Sequence, residues 1–361
     1  MTEPVSGLRP DAAAPSAVRG GGDSQRSRLA AIWLVAVAAL VLALVVVGGA
    51  TRVTGSGLSI TQWKPVSGVI PPLSHAAWEH VFQLYRATPQ YLLLNRGMAL
   101  AQFQTLYWWE WAHRLLGRLV GLAFFAPFLL LVALRRLPRR LIWRCVLLFA
   151  LGGLQGLIGW WMVKSGLEAR TSVAPERLAA HLGLALLLFA ALVWTALEAW
   201  FGPSEDGARP RSPGWVWASA VFLAAVFLQC LLGALVAGNH AGLIDADWPL
   251  MAGRAFPAGY WRDSLWVSLA HNPPAVQFNH RVLAYGLLAA GLAMAAAALR
   301  HKVLPLRYLT LGVAGLLVVQ VGLGVATLIL TVPLGLAMAH QLTAVALLGG
   351  ATMLAWRGRR L

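Results

Sequence analysis

Four histidines inside apolar stretches are the residues of this sequence best suited to chemistry: His113, His181, His280 and His340. We expect each of them within about two turns of the outer end of an even-numbered helix, so that all four share one depth. Ionisable side chains are costly inside a membrane and mark functional sites by default. Two histidines in each half of the chain predict two bis-histidine haem sites, because imidazole is a good iron ligand and facing helices can hold it from both sides.

Zinc is the competing metal, but it usually takes three or four ligands and often includes Cys or a carboxylate. Cys145 and Cys230 lie in apolar stretches and are expected to be small buried residues, neither ligands nor a disulfide.

Small residues would leave room for a flat macrocycle between helices. They are Gly117, Gly121, Gly152, Gly153, Gly156, Gly159, Gly322 and Gly324. The other histidines are expected in loops, namely His75, His80, His240 and His271 outside and His301 inside.

A carboxylate stands beside only one of the two expected sites. Glu110 precedes His113 by three residues, and positions i and i+3 share a helix face. The matching residue in the second half is Gln277, which cannot act as a base. This asymmetry favours chemistry in the first half and electron storage in the second, although Glu110 would equally suit an exposed helix N-terminus. Arg114 and Arg281 follow two of the histidines and would pair with haem propionates or extend to outer lipid headgroups.

The composition indicates which elements must position these residues. Of the 361 residues, 59% are hydrophobic and 12% are charged. A chain this apolar cannot cover itself with polar surface, which excludes a soluble enzyme, a disordered chain and a fibrous protein. We therefore expect an all-α polytopic membrane protein with eight transmembrane helices. The expected spans are roughly 30–50, 112–133, 141–163, 178–200, 214–237, 278–299, 306–330 and 334–356.

The basic residues predict the orientation of these spans. The net charge is +16, and Lys and Arg cluster in the N-terminal tail, in the links after the second, fourth and sixth spans, and at the C-terminus. With eight spans all of these lie on one side, so both termini are expected in the cytoplasm. Nucleic-acid binding is not expected, because no basic stripe with stacking aromatics lies on a soluble module.

The two long outer loops resemble each other, which predicts a repeat. Gly57, Leu58, Trp63, Gly68 and Pro72 match Gly242, Leu243, Trp248, Gly253 and Pro257 at one constant offset. Two repeat-related four-helix bundles in the same orientation would explain this match. The predicted parts are a disordered cytoplasmic tail over 1–28, a first half over 29–200 with an outer loop over 51–111, a cytoplasmic linker over 201–213, a second half over 214–356 with an outer loop over 238–277, and a cytoplasmic tail over 357–361.

Five ordered motifs carry a resemblance to a known family: GGATRVTGSGLSITQW, EWAHRLLGR, LGGLQGLIGWWMVKSGL, FNHRVLAY and AMAHQLTA. From about residue 45 onward the chain resembles the haem A synthase family. The resemblance implies an eight-helix membrane oxidoreductase that converts the C8 methyl group of haem O to the formyl group of haem A by successive hydroxylation, for terminal oxidase assembly. The oxygen atom would come from water, and electrons would leave through haem b.

The resemblance also implies roles for the site residues. His280 and His340 would ligate a haem b cofactor, His113 and His181 would receive the substrate haem O, and Glu110 would assist the oxidation. The resemblance implies a haem O synthase as the supplier and a bacterial cell with the protein in its inner membrane. The inner loops are too short for a soluble electron-transfer domain, so we expect another protein or a membrane electron acceptor such as a quinone to receive the electrons. The sequence leaves the oligomeric state open and allows a homo-oligomer. Residues 51–111 contain no cysteine, so the chain resembles the branch of the family without a cysteine pair in this loop.

Two other functions remain open from the residues alone. A dihaem b-type membrane electron carrier would explain the four histidines equally well, but it would hold two equivalent permanent haems and give Glu110 no special role. A haem transport or delivery protein would need exchangeable haem without any redox conversion. Such proteins usually have helices broken near mid-membrane, and no charged residue marks a pathway there.

Overall fold

Eight long apolar helices dominate the computed structural model of the chain, which describes residues 19–168, 170–202, 212–261 and 264–360, with only the backbone for 19–27. Within these described residues, eight helices are long and apolar enough to span a membrane, which confirms the predicted number. They are α1 (Arg19–Val53), α4 (Leu100–Ala133), α5 (Arg139–Glu168), α6 (Pro175–Phe201), α7 (Pro213–Gly238), α9 (Pro273–Leu299), α10 (Leu304–Ile329) and α11 (Leu334–Gly358). Three short helices lie between them, α2 (His75–Arg86), α3 (Pro89–Leu94) and α8 (Leu265–Ala270).

The ends of the predicted parts differ from the observed elements. The predicted disordered tail over 1–28 lies outside the described residues up to position 18, and from Arg19 its backbone is helical and continuous with α1. A helix propagates easily once nucleated, so α1 continues beyond its apolar stretch. Most of the predicted linker, residues 203–211, also lies outside the described residues. At the C-terminus, α11 continues to Gly358, into the predicted tail.

The first long connection is more ordered than a loop. We call residues 54–99 loop L1 and residues 239–272 loop L2. α4 begins at Leu100, well before the predicted start at 112, and its first turns pack on α2. The contact is part of a cluster of aromatic side chains that also includes one from α3. The cluster consists of Phe82, Tyr85, Tyr91, Phe103 and Tyr107. Burial of these large rings stabilises the extension of α4 beyond the apolar span.

This extension corrects one expectation about depth. His113 lies more than three turns from the first residue of α4, because that helix begins in the L1 cluster. The other three histidines lie about two turns into their helices, as expected: His181 in α6, His280 in α9 and His340 in α11.

The helices pack in the same order in both halves. In the first half α1 contacts α4 and α6, and α5 contacts α4 and α6. In the second half α7 contacts α9 and α11, and α10 contacts α9 and α11. Between the halves, α1 lies against α11, α6 against α7, and α6 against α11. Each contact within one half therefore has a counterpart in the other.

Two close contacts at the L1 and L2 end join the halves. An alanine Cβ at Gly238 of α7 would lie 2.7 Å from the Cα of Pro175, the first residue of α6. Arg52, near the end of α1, donates to the carbonyls of Ala237 at 2.7 Å and Gly238 at 3.3 Å, and to Nε2 of His240 at 2.7 Å. Both contacts place the loop ends of the two halves side by side.

Candidate functional site

The structure brings the four histidines together in two pairs. His113 of α4 lies close enough to His181 of α6 for the two imidazoles to interact electrostatically, and His280 of α9 is similarly close to His340 of α11. All four side chains are partly buried and keep some accessible surface. Each half of the molecule therefore contains one histidine pair, and each pair is formed by two different helices.

Each of these imidazoles lies against a glycine of a neighbouring helix. A Cβ at Gly48 would be 2.7 Å from Cε1 of His113, and one at Gly233 would be 3.2 Å from Cε1 of His280. A Cβ at Gly159 or at Gly324 would be 2.9 Å from Cε1 of His181 or His340, respectively. Carbon atoms normally approach to about 3.5–4.0 Å, so most of these positions exclude a side chain. The glycines let the rings lie against the helix backbones.

Three of the imidazoles also have a glutamine beside them. Gln155 Nε2 lies 3.2 Å from Nδ1 of His181 and donates to the His181 carbonyl at 3.0 Å. Gln229 Nε2 lies 3.1 Å from Nδ1 of His280 and donates to the His280 carbonyl at 2.9 Å.

The third imidazole with a glutamine beside it is that of His340, where Gln320 Nε2 lies 3.4 Å from Nε2 of the ring. Each glutamine stands four residues before the glycine that contacts the same ring, so both act from one helix face. The spacing Gln-x-x-x-Gly is visible in the sequence, but the sequence does not predict that the glutamines lie beside the histidine rings.

These surroundings fit a flat iron-containing macrocycle between the histidines of each pair. The imidazoles keep accessible surface, and within the described residues the buried Nδ1 atoms of His113 and His340 have no hydrogen-bond partner. A Cβ at Gly117 or Gly121 of α4, or at Gly156 of α5, would meet no atom of the described residues within 4 Å. Two neutral imidazoles from facing helices are a donor set that suits haem iron. The part of the chain that is described holds no group of three or more His, Cys, Asp or Glu side chains able to bind a metal ion.

Glu110 is buried in a network between α4 and L1. Its side chain is 3% exposed, so the alternative of an exposed carboxylate at a helix N-terminus is wrong. Oε2 accepts hydrogen bonds from the Ser59 hydroxyl at 2.7 Å and from the backbone N–H of Ile60 at 2.8 Å. Oε1 accepts from Arg114, at 3.1 Å from Nε and 2.6 Å from Nη2. The carboxylate is therefore held by four donors, three of them side-chain groups.

Gln277 occupies the corresponding place in the second half with the opposite polarity. It is also 3% exposed, and its Oε1 accepts from Nη2 of Arg281 at 3.2 Å. Its Nε2 donates to the carbonyls of Ala241 at 2.9 Å and Asp245 at 3.1 Å. L1 thus offers hydrogen-bond donors to a carboxylate, whereas L2 offers acceptors to an amide. The difference between Glu110 and Gln277 is matched by the backbone that faces each side chain.

The two arginines hold the long connections against the helices. Arg281 donates to the carbonyls of Asp247 at 3.0 Å, Leu250 at 2.9 Å and Asp245 at 3.0 Å. Arg114 donates to L1 in the same way, to the carbonyls of residue 62 at 3.2 Å and residue 60 at 2.8 Å. Arg114 also borders a cavity of about 210 Å³ that is lined in part by Trp160 and Lys164. Pairing of either arginine with haem propionates stays a prediction.

The remaining candidate residues lie apart from the histidine pairs. Cys145 is buried, as expected, whereas Cys230 is only partly buried; both are free thiols. His75 and His80 are exposed, whereas His271 lies 3.6 Å from a carboxylate oxygen of Glu176. His301 accepts a hydrogen bond from the backbone N–H of residue 303 at 3.1 Å. His240 contacts Arg52, which together with partial burial lowers the pKa of His240, burial being the larger cause.

The chain is similar to known proteins over most of its length. A family model described as a cytochrome oxidase assembly protein, COX15-CtaA, matches residues 31–352. The chain is 54% identical over 339 residues to a haem A synthase of Caulobacter sp. (strain K31), covering 93% of this chain and 98% of that protein.

It is 48% identical over 334 residues to a haem A synthase of Parvibaculum lavamentivorans, covering 91% of this chain and 93% of that protein. The chain belongs to the haem A synthase family. The motifs that carried the resemblance all lie within the matched residues. Members of the haem A synthase family are oxidoreductases, so the membership agrees with a multi-pass membrane enzyme that acts on haem.

Proposed function

We propose that this chain is a multi-pass membrane oxidoreductase that oxidises the C8 methyl group of haem O to the formyl group of haem A by successive hydroxylation. Family membership over most of the chain supports this assignment. The observation that carries it is the contrast between two otherwise similar sites. The first half has the buried carboxylate of Glu110 near its histidine pair, and the second half has the amide of Gln277 at the same position.

The two histidine pairs take different roles in this proposal. His113 and His181 hold the substrate haem O, and His280 and His340 hold one haem b as cofactor. Bound haem b supplies an iron centre that accepts and passes on electrons. The glycines behind the rings keep the imidazoles within reach of such a group, and the glutamines restrict how the rings turn.

Glu110 holds or moves a proton during the oxidation. Conversion of a methyl group to a formyl group releases protons as well as electrons, so a buried carboxylate in the first half has a task that the second half lacks. Arg114 keeps Oε1 in place, and Ser59 contacts Oε2 at 2.7 Å. Ser59 belongs to L1, so its hydroxyl holds the carboxylate against this loop.

The orientation and partners belong to the same proposal. The distribution of Lys and Arg supports cytoplasmic termini in a bacterial inner membrane, with L1 and L2 on the outer side. Haem O would come from a haem O synthase, electrons would pass to a membrane acceptor such as a quinone, and the chain would assemble as a homo-oligomer. The exposed apolar surface of the spans suits a lipid environment.

Haem extraction and chromatography test the proposal, on protein that is expressed with a source of haem O. Wild-type protein should yield haem B together with haem A. Glu110→Gln should keep haem B and abolish haem A, because an amide cannot accept the proton. Ser59→Ala is the matched control, since it removes one donor to the same carboxylate and leaves the carboxylate itself.

The outcomes separate a chemical role from a structural one. Loss of haem A in Glu110→Gln with substantial haem A in Ser59→Ala supports a proton role for the carboxylate. Equal loss in both variants means that Glu110 only holds L1 on α4. About two haem B per chain in the wild type, without haem A or haem O, would instead establish a dihaem electron carrier and overturn the assignment.

A further inference from the structure

Leu44 stands at His113 where the other three histidines have a glutamine. Three of the four imidazoles have a glutamine one turn before the glycine that they touch, and at His113 the glycine is Gly48 and the residue one turn earlier is Leu44. The backbone of Leu44 faces His113, as the backbone of Gln229 faces His280. Position 44 is therefore structurally equivalent to position 229, with leucine in place of the amide.

The amides restrain the rings that they face. Gln229 bonds the main-chain carbonyl of His280 and lies beside its ring, which joins α7 to α9 at this level. Gln155 does the same between α5 and α6 at His181. Polar partners of a metal-binding histidine fix its ring orientation and typically change metal affinity by about 10–100-fold when they are removed.

The second pair has a further restraint on its other member. Nε2 of Gln320 lies 3.4 Å from Nε2 of His340. Gln341, which follows His340 in the chain, donates to the Val45 carbonyl of α1 at 3.0 Å. Gln341 fits against Gly49, where a Cβ would lie 1.6 Å from its Oε1. Both histidines of the second pair are thus held by amides, directly or through a neighbour.

His113 has neither kind of restraint among the described residues. Leu44 cannot form a hydrogen bond through its side chain, so it offers no amide to the His113 ring. The buried Nδ1 of His113 has no hydrogen-bond partner among the described residues, which is also true of Nδ1 of His340. The neighbouring arginine does not compensate, because Arg114 and Arg281 hold the two loops in the same way. The orientation of the His113 ring depends on its contact with Gly48 and on the backbone beside it.

We propose that Leu44 makes His113 the releasable ligand of the substrate site, so that haem enters and leaves the first half while Gln229 keeps haem in the second half. The inference rests on the proposed function, which requires one exchanging haem and one resident haem. Leu44 acts through His113 and is a positioning residue. It sets the lifetime of the bound state, whereas Glu110 serves the reaction.

Haem release to excess apomyoglobin tests this inference on the detergent-purified, haem-loaded full chain. Extraction at intervals identifies which haem has been lost, and the absorbance of the low-spin iron reports axial ligation. Leu44→Gln should slow the loss of haem O and haem A by about tenfold or more and leave the loss of haem B unchanged. Gln229→Leu should accelerate the loss of haem B by a similar factor. Leu44→Met is the size-matched control without an amide and should release haem at the wild-type rate.

Each result decides for or against the inference. Unchanged release from Leu44→Gln with a wild-type spectrum overturns it, and so does unchanged haem B release from Gln229→Leu, a variant that introduces no polar group into the membrane. If haem release is slower in Leu44→Met as well as in Leu44→Gln, the effect comes from the shape of the side chain and not from the amide, and the inference is also overturned. If wild-type protein holds two haem B per chain and no haem A or haem O, the proposed function fails separately. The two variants then still show whether position 44 sets the release rate of one haem and position 229 that of the other.

Discussion

Replacing Gly324 with alanine should weaken haem binding in the second half without unfolding the helix. The new Cβ would lie 2.9 Å from Cε1, 3.4 Å from Nδ1 and 3.6 Å from Nε2 of His340. Carbon atoms in ordinary contact are about 3.5–4.0 Å apart, so the ring must retreat by roughly 0.6–1 Å. A functional site tolerates about 0.5 Å of misplacement, and overpacking costs about 1–3 kcal/mol. We therefore expect haem B affinity to fall about 10–100-fold.

The helix itself should not suffer from the substitution. Alanine is about 1 kcal/mol more favourable than glycine in a helix interior. Gly315→Ala in the same helix is the matched control, because a Cβ there would meet no atom within 4 Å in the part of the chain that the structure describes. Haem B per chain after purification and the low-spin absorbance spectrum are the measurements. Full haem B content and an unchanged spectrum in Gly324→Ala would refute the reasoning that the glycine positions the imidazole.

Two further predictions concern L2 and the contact between the halves. Arg281→Lys should increase the rate of deuterium exchange in L2 by about tenfold, because one ammonium group cannot replace a guanidinium that donates to three loop carbonyls. An unchanged exchange rate would contradict the role of Arg281 in anchoring L2. The thermal midpoint should decrease as pH falls below about 6.5, because the pKa of His240 is lower in the folded state than in the unfolded chain and protonation there opposes the Arg52 contact. His240→Gln should flatten this part of the pH profile, and an identical slope in the variant would exclude His240 as its source.

Much of the architecture was predictable because hydropathy acts locally along the chain. Twenty or so apolar residues span a bilayer whatever their neighbours are, so the eight spans followed from the sequence alone. The four histidines stood out for a similar reason, since a polar ring inside an apolar stretch needs a partner or a ligand. The family was also recognisable, because its motifs are short and contiguous.

The sequence did not predict how L1 folds or what surrounds Glu110. The start of α4 was placed too late, because its first turns are stabilised by aromatic rings of L1 rather than by lipid. The choice between an exposed and a buried Glu110 depended on Ser59 and on the backbone N–H of Ile60, about fifty residues earlier in the chain. Such partners have no local signature, because any residue can present a backbone N–H.

The sequence by itself determined the number of spans, the two histidine pairs as candidate ligands and the family. Only the tertiary structure decided which imidazole meets which glycine and glutamine, that Arg114 and Arg281 hold loop carbonyls, and that position 44 faces His113 without an amide. The physical reason is that insertion into a membrane depends on the composition of each segment, whereas ring orientation depends on contacts of a few ångströms between helices that are far apart in sequence.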